Sequence, residues 1–112
     1  MNFETTIETG NISTLHIKGK ILGNATDTFR KEMELQLQTG RDKLVVDLTN
    51  VSLIDSSALG AIVTTLKYCQ QSGGKLVLLN PQKAVQEVLE VTQLATVIEI
   101  YDTEEAARAA FS

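Results

Sequence analysis

The chain opens on a two-residue rhythm. Phe3, Thr5 and Ile7 alternate with Glu4, Thr6 and Glu8, the period of a strand with one face turned to solvent. Gly10-Asn11 makes a turn, and Leu15 and Ile17 then alternate with Thr14, His16 and Lys18. A hairpin is therefore predicted at the start. From Asn24 the rhythm lengthens: Phe29, Met33 and Leu37 recur every four residues as far as about Gln38, and Gly40 follows. That spacing is the buried stripe of a helix, with Asn24 as its cap and a glycine as its stop.

Leu44-Val45-Val46-Asp47-Leu48 is a short apolar, β-branched run of the kind buried in a parallel sheet. A second helix is predicted from about Ser57 to Gln71, with Leu59, Ile62, Val63, Leu66 and Cys69 as its inner stripe and Gly73-Gly74 as its stop. Lys75 to Leu79 reads as the next buried strand. Asn80-Pro81 is a cap followed by proline, which predicts a helix start, and Val85, Val88 and Leu89 supply that helix's inner face. Val97 to Tyr101 is the last strand. Thr103-Glu104-Glu105 opens a closing helix with acids at its positive end. Strands alternating with helices require right-handed crossovers onto a largely parallel sheet. The expected architecture is α/β: a mixed, mostly parallel sheet of about five strands with an N-terminal hairpin, and about four helices. At 112 residues the chain is expected to form one domain over 1–112.

Composition narrows the function by exclusion. A net charge of −4 argues against a nucleic-acid binder, which would carry a basic stripe. No apolar run is long enough to span a bilayer, and Met1-Asn2-Phe3-Glu4 does not begin a signal peptide. The single cysteine, Cys69, fits a reducing cytoplasm, and one Cys with one His is too few soft ligands for a zinc site. Gly19 and Gly23 lack the spacing of a nucleotide cradle and read as turns. His16 reads as an exposed strand residue, Asp47 as an acceptor for loop amides, and Cys69 as a buried filler. Asp102, after the last strand, has no lysine near it to make a receiver-type site. No catalytic constellation, cofactor or metal is expected.

One segment stands apart: Val51 to Gly60, joining a buried strand to a strongly amphipathic helix. Asp55, Ser56 and Ser57 are competing N-caps for amides that a first turn cannot pair internally. The same position would also accept a phosphate, since a helix start offers a positive dipole end to an anion. Beyond it, Gly60, Ala61, Thr64 and Tyr68 fall opposite the predicted stripe. That face is small and nearly uncharged, either a tolerated surface or a place where a partner packs closely.

At this segment the chain resembles the STAS family, and within it the bacterial anti-sigma factor antagonists. The family signature Asp-Ser-Ser/Thr-Gly-Leu-Gly reads here Asp55-Ser56-Ser57-Ala58-Leu59-Gly60, preceded by Leu44-Val45-Val46-Asp47-Leu48. The resemblance implies a non-catalytic partner switch in transcription control, with Ser56 as phosphoacceptor and Asp55, Ser57, Ala58, Gly60, Ala61 and Thr64 as partner-binding residues. It implies a kinase that is itself an anti-sigma factor of the histidine-kinase-like ATPase fold, and a metal-dependent serine phosphatase that resets the switch. ATP and metal would belong to those partners. The other reading of the same fold is an adaptor subunit of a lipid-transport or stress-signalling complex, with Ser56 unmodified. Two departures stand out. Ala58 replaces the usual glycine, which stiffens the first turn. Leu22 stands where many antagonists carry an aspartate, which makes the surface less acidic.

Overall fold

A strand that is apolar on both faces has to lie between two layers, and the Leu44 to Leu48 run does so. In the computed structural model, which describes residues 4–8 and 10–111, the sheet is ordered β1-β2-β3-β4-β5 in space as in sequence. The strands are β1 (Glu4–Glu8), β2 (Ser13–Ile21), β3 (Lys43–Ile54), β4 (Lys75–Leu79) and β5 (Glu99–Tyr101). The helices are α1 (Asn24–Gln38), α2 (Ser56–Gln71), α3 (Lys83–Val91) and α4 (Glu104–Ala109), with a 3-10 turn at Leu94–Thr96. β1 runs antiparallel to β2 and the remaining pairs are parallel. The expected mixed sheet, opening hairpin and four helices are all present. Phe3, assigned to the first strand by its alternation, lies outside the described residues.

The two faces of β3 face two cores. Leu44, Val46 and Leu48 join Leu15 and Ile17 of β2 beneath Phe29 and Met33 of α1, Ile62 of α2 and Leu89 of α3. Val45, with Val77 and Leu79 of β4, packs on the opposite side against Ala107 of α4. Lys75 Nζ fastens that smaller layer, lying 3.0 Å from Glu99 Oε2 and donating to the Ala110 carbonyl at 3.1 Å.

Four boundaries differ from expectation, each for a local reason. β3 runs on to Ile54 because β2 accompanies it, pairing Lys18 with Asn50 and Ile21 with Ile54 through two register shifts. Thr49, Asn50 and Ser52 break the apolar run in the sequence, yet Val51 and Ile54 are buried. α1 has Gly23 as its cap residue, with Asn24 already helical. α3 begins at Lys83, after Gln82, because Asn80 takes a left-handed conformation with φ 49°. Asn80 and Gln82 spend their side chains on Thr49 instead, at 3.3 Å to its hydroxyl and 2.9 Å to its carbonyl. β5 is shorter than Val97–Tyr101 because the 3-10 turn leaves Val97 exposed.

His16 is also placed differently. Its Nδ1 lies 2.7 Å from Asp47 Oδ2 across the β2–β3 pair, so it is a half-buried paired residue rather than a free strand side chain. Asp47 does accept loop groups as expected, the Thr49 amide at 3.0 Å and its hydroxyl at 2.6 Å. Burial works to raise the Asp47 carboxyl, but the Thr49 hydroxyl and amide and the His16 ring outweigh it and hold it below the ordinary carboxylate range.

The Gly73-Gly74 stop uses its two glycines for different reasons. Gly73 has φ 83°, which favours a residue without Cβ. Gly74 is a matter of space: an added Cβ would sit 2.1 Å from the Asp42 carbonyl oxygen, which itself accepts the Lys75 amide at 2.9 Å. Backbone cannot swing away as a side chain can. Gly74→Ala is therefore expected to destabilise the fold by about 1–3 kcal/mol, the usual range for overpacking. Chemical denaturation measures this, and an unchanged midpoint would show that the Asp42 loop yields freely.

Candidate functional site

The first amides of a helix have no partner within it, and α2 meets that need with the residue that ends β3. Asp55 is extended (φ −101°, ψ 176°), and its Oδ1 accepts the Ala58 amide at 2.9 Å while its carbonyl accepts the Leu59 amide at 3.1 Å. Of the three candidate caps, Asp55 alone fills the role. Ser56 and Ser57 are left exposed, with Ser56 at the first helical position.

The same carboxylate also serves α1. Gly23 has no side chain with which to cap, and Asp55 Oδ2 accepts its amide at 3.1 Å while the Thr26 hydroxyl donates to Oδ1 at 3.4 Å. In a capping box the third residue of a helix reaches back to the cap amide. Here a residue 32 positions away supplies that acceptor. The Asp55 amide in turn donates to the Ile21 carbonyl at 3.2 Å, so both helix starts are tied to the ends of β2 and β3. The Ala58 amide above all, and the Gly23 amide next, hold the Asp55 carboxyl below its ordinary range, against a smaller opposing effect of burial.

Sequence reasoning missed Gly23 and Thr26 as part of this site. The available signal was indirect: a helix opening on glycine lacks its own acceptor and must borrow one.

The exposed face of α2 needs a larger correction. Ala58 and Ala61, assigned to the partner-binding face, are 0% and 4% exposed and belong to the core with Ile62, Thr65, Leu66 and Cys69. Val63, assigned to the core, is only half-buried. Weighting large apolar residues pulled the predicted stripe toward Val63, whereas alanine and threonine define its other edge. The Thr65 hydroxyl is satisfied there by the Ala61 carbonyl at 2.8 Å. The outward face is Ser56, Ser57, Gly60, Thr64, Lys67 and Tyr68. From Ser56 to Thr64 it carries no charge, and Gly60 has open space where a Cβ would stand.

Among the described residues no group of three or more His, Cys, Asp or Glu side chains is placed to hold a metal ion, and no helix is long and apolar enough to cross a membrane. Cys69 is fully buried, and desolvation, with a smaller effect from Asp42, pushes its thiol up to about 11, far from nucleophilic use. An open groove lined by Glu34, Leu37, Gln38, Tyr68 and Ser72 lies at the far end of α2. It is roughly 20 Å from Ser56 along the helix axis.

Known proteins share this fold. The family model described as STAS domain matches residues 5–107. The anti-sigma-B factor antagonist of Listeria monocytogenes is 38% identical over 90 residues, covering 80% of this chain and 79% of that protein. A crystal structure of a candidate anti-sigma factor antagonist from Thermotoga maritima superposes with a TM-score of 0.88 at 31% identity, covering 97% of this chain and 93% of the other. In sequence, this chain spans 59% of the length of the Thermotoga relatives it matches. The unphosphorylated anti-sigma factor antagonist SpoIIAA, at 21% identity and a TM-score of 0.79, covers 94% of this chain and 91% of its own, and shares the fold.

A carboxylate that caps two helices should be costly to remove. Asp55→Ala is expected to destabilise by about 1–2 kcal/mol, the upper part of the N-cap range, while the exposed Ser57→Ala stays within about 0.5 kcal/mol. Because the folded-state value is depressed, this contribution is fully present above the unfolded carboxyl value of about 3.9 and is lost as pH falls through the folded one. Urea denaturation at pH 7 and about pH 3 should show the gap between wild type and Asp55→Ala shrinking in acid. A gap that persists in acid would show that shape, not charge, holds the two helices.

Proposed function

The chain belongs to the STAS domain family, of the bacterial anti-sigma factor antagonist type, and from that premise we propose that it is a phosphorylation-controlled partner switch with Ser56 as phosphoacceptor. The observation that carries this reading is the contrast between two signature residues: both Asp55 carboxylate oxygens are engaged, by the Gly23 and Ala58 amides, while Ser56 stands exposed at the first position of α2. A kinase can therefore reach the hydroxyl without unfolding anything. SpoIIAA, alike in fold, has been solved in both unphosphorylated and phosphorylated forms.

In this reading the unphosphorylated protein captures an anti-sigma factor, a serine kinase of the histidine-kinase-like ATPase fold, and so frees the sigma factor in the cytoplasm. The contact surface is Ser57, Gly60 and Thr64 beside Ser56; Ala58 and Ala61 act from within, by letting α2 lie close on the sheet. An uncharged face with little side-chain bulk permits close approach at low desolvation cost. Phosphorylation places about −1.5 to −2 of charge in the middle of that contact. The helix dipole favours the new charge, so the free protein tolerates the phosphate while the complex does not. A metal-dependent serine phosphatase removes it. ATP and metal stay with the partners, and the chain itself is a non-catalytic binding module.

Incubation with the cognate kinase and ATP should label wild type and Ser57→Ala but not Ser56→Ala. Thr64→Arg should keep its stability within about 0.5 kcal/mol and yet bind the kinase at least about tenfold more weakly. Label on Ser57 instead would move the acceptor. Absence of any label, with binding intact, would favour the adaptor reading.

A further inference from the structure

We propose that Asp55 transmits the charge state of Ser56 to the turn between β2 and α1, so that a phosphate on Ser56 loosens the Gly23 amide and the first turn of α1. The proposal rests on Ser56 as the phosphoacceptor, but its physical basis is the shared carboxylate. A phosphate at the first helical position seeks the amides of that turn. The Ala58 amide already belongs to Asp55 Oδ1 at 2.9 Å, and the Leu59 amide to the Asp55 carbonyl at 3.1 Å. The dianion and Asp55 therefore draw on the same first-turn donors, the Ala58 amide and the Ser57 amide that also favours the ionised Asp55 carboxyl, and repel each other as like charges one residue apart.

What Asp55 gives up is graded by its bonds. The Thr26 hydroxyl is held at 3.4 Å, the longest of the three contacts, and the Gly23 amide at 3.1 Å. Displacement of the carboxylate from Ala58 pulls on both. The movement is confined to the start of α1, because Ala25 and Thr26 still donate to the Leu22 and Gly23 carbonyls at 3.0 and 3.1 Å and Phe29 is fully buried one turn on. Phosphorylation would thus alter a second surface patch, the Leu22-Gly23 turn, without contact between the phosphate and that turn.

The test uses full-length protein with phosphoserine genetically encoded at position 56, so that no kinase is needed. Amide hydrogen exchange, read by NMR, should be at least about fivefold faster at Gly23 in the phosphorylated protein, while the Gly40 amide at the far end of α1 keeps its rate. In Asp55→Asn, an uncharged acceptor, the acceleration should fall below about twofold. If that variant does not fold, Thr26→Val serves: it removes the weakest tie and should make the phosphate effect larger than in wild type. An unchanged Gly23 rate on phosphorylation, or the same acceleration in Asp55→Asn, or no increase in Thr26→Val, would overturn the coupling. Failure of a kinase to label Ser56 would instead overturn the switch and leave the coupling itself intact.

Discussion

Two helix starts lean on one carboxylate. β2 and β3 run parallel and end together at Ile21 and Ile54, so the helices that follow them begin side by side. α2 brings its own acceptor in Asp55, and α1, opening on Gly23, brings none. Sharing Asp55 satisfies both and sets the spacing of the turns that flank Ser56. The exposure of Ser56 follows from this. A serine that had to cap its own helix would have its hydroxyl turned inward on an amide. With Asp55 in that role, Ser56 stands exposed to solvent.

The remainder of α2 fits the same logic. Its inner side is fixed by Ala58, Ile62, Thr65 and Cys69, all buried in the core, so the outward face is presented on a rigid element and not on a loop. That face offers no charge until Lys67 and no bulk at Gly60. A surface so plain gains little from flexibility and is strongly altered by one added dianion. The proposed switch would thereby act by local electrostatics rather than refolding, with the Asp55 linkage as the route by which the charge spreads.

Most of the fold was legible because each element had a clear period or a punctuating glycine. The Leu44 to Leu48 run, the four-residue recurrence of Phe29, Met33 and Leu37, and the Gly73-Gly74 stop all led to the right element. What misled were residues whose role is set by distant partners. Asn80-Pro81 looked like a helix start, yet Asn80 turns to Thr49, 31 residues away. His16 looked solvated until β3 placed Asp47 beside it. At the start of α2, Asp55 was legible as one of the candidate caps, but the inner and outer faces of the helix were partly exchanged. Val63 is the more apolar of the two residues Ala61 and Val63, yet Ala61 is the one buried, because packing against neighbouring elements decides which turns in.

In the proposed switch, phosphate on Ser56 ends binding by its charge within a contact, on a protein whose fold it leaves in place. The direct measurement is titration of the cognate anti-sigma kinase with unphosphorylated and Ser56-phosphorylated protein, with circular dichroism of both forms. Nearly superimposable spectra are expected, with an affinity at least tenfold lower for the phosphorylated form, a difference of about 1.4 kcal/mol or more. Equal affinities, or a loss of binding accompanied by a large change in helix content, would contradict it.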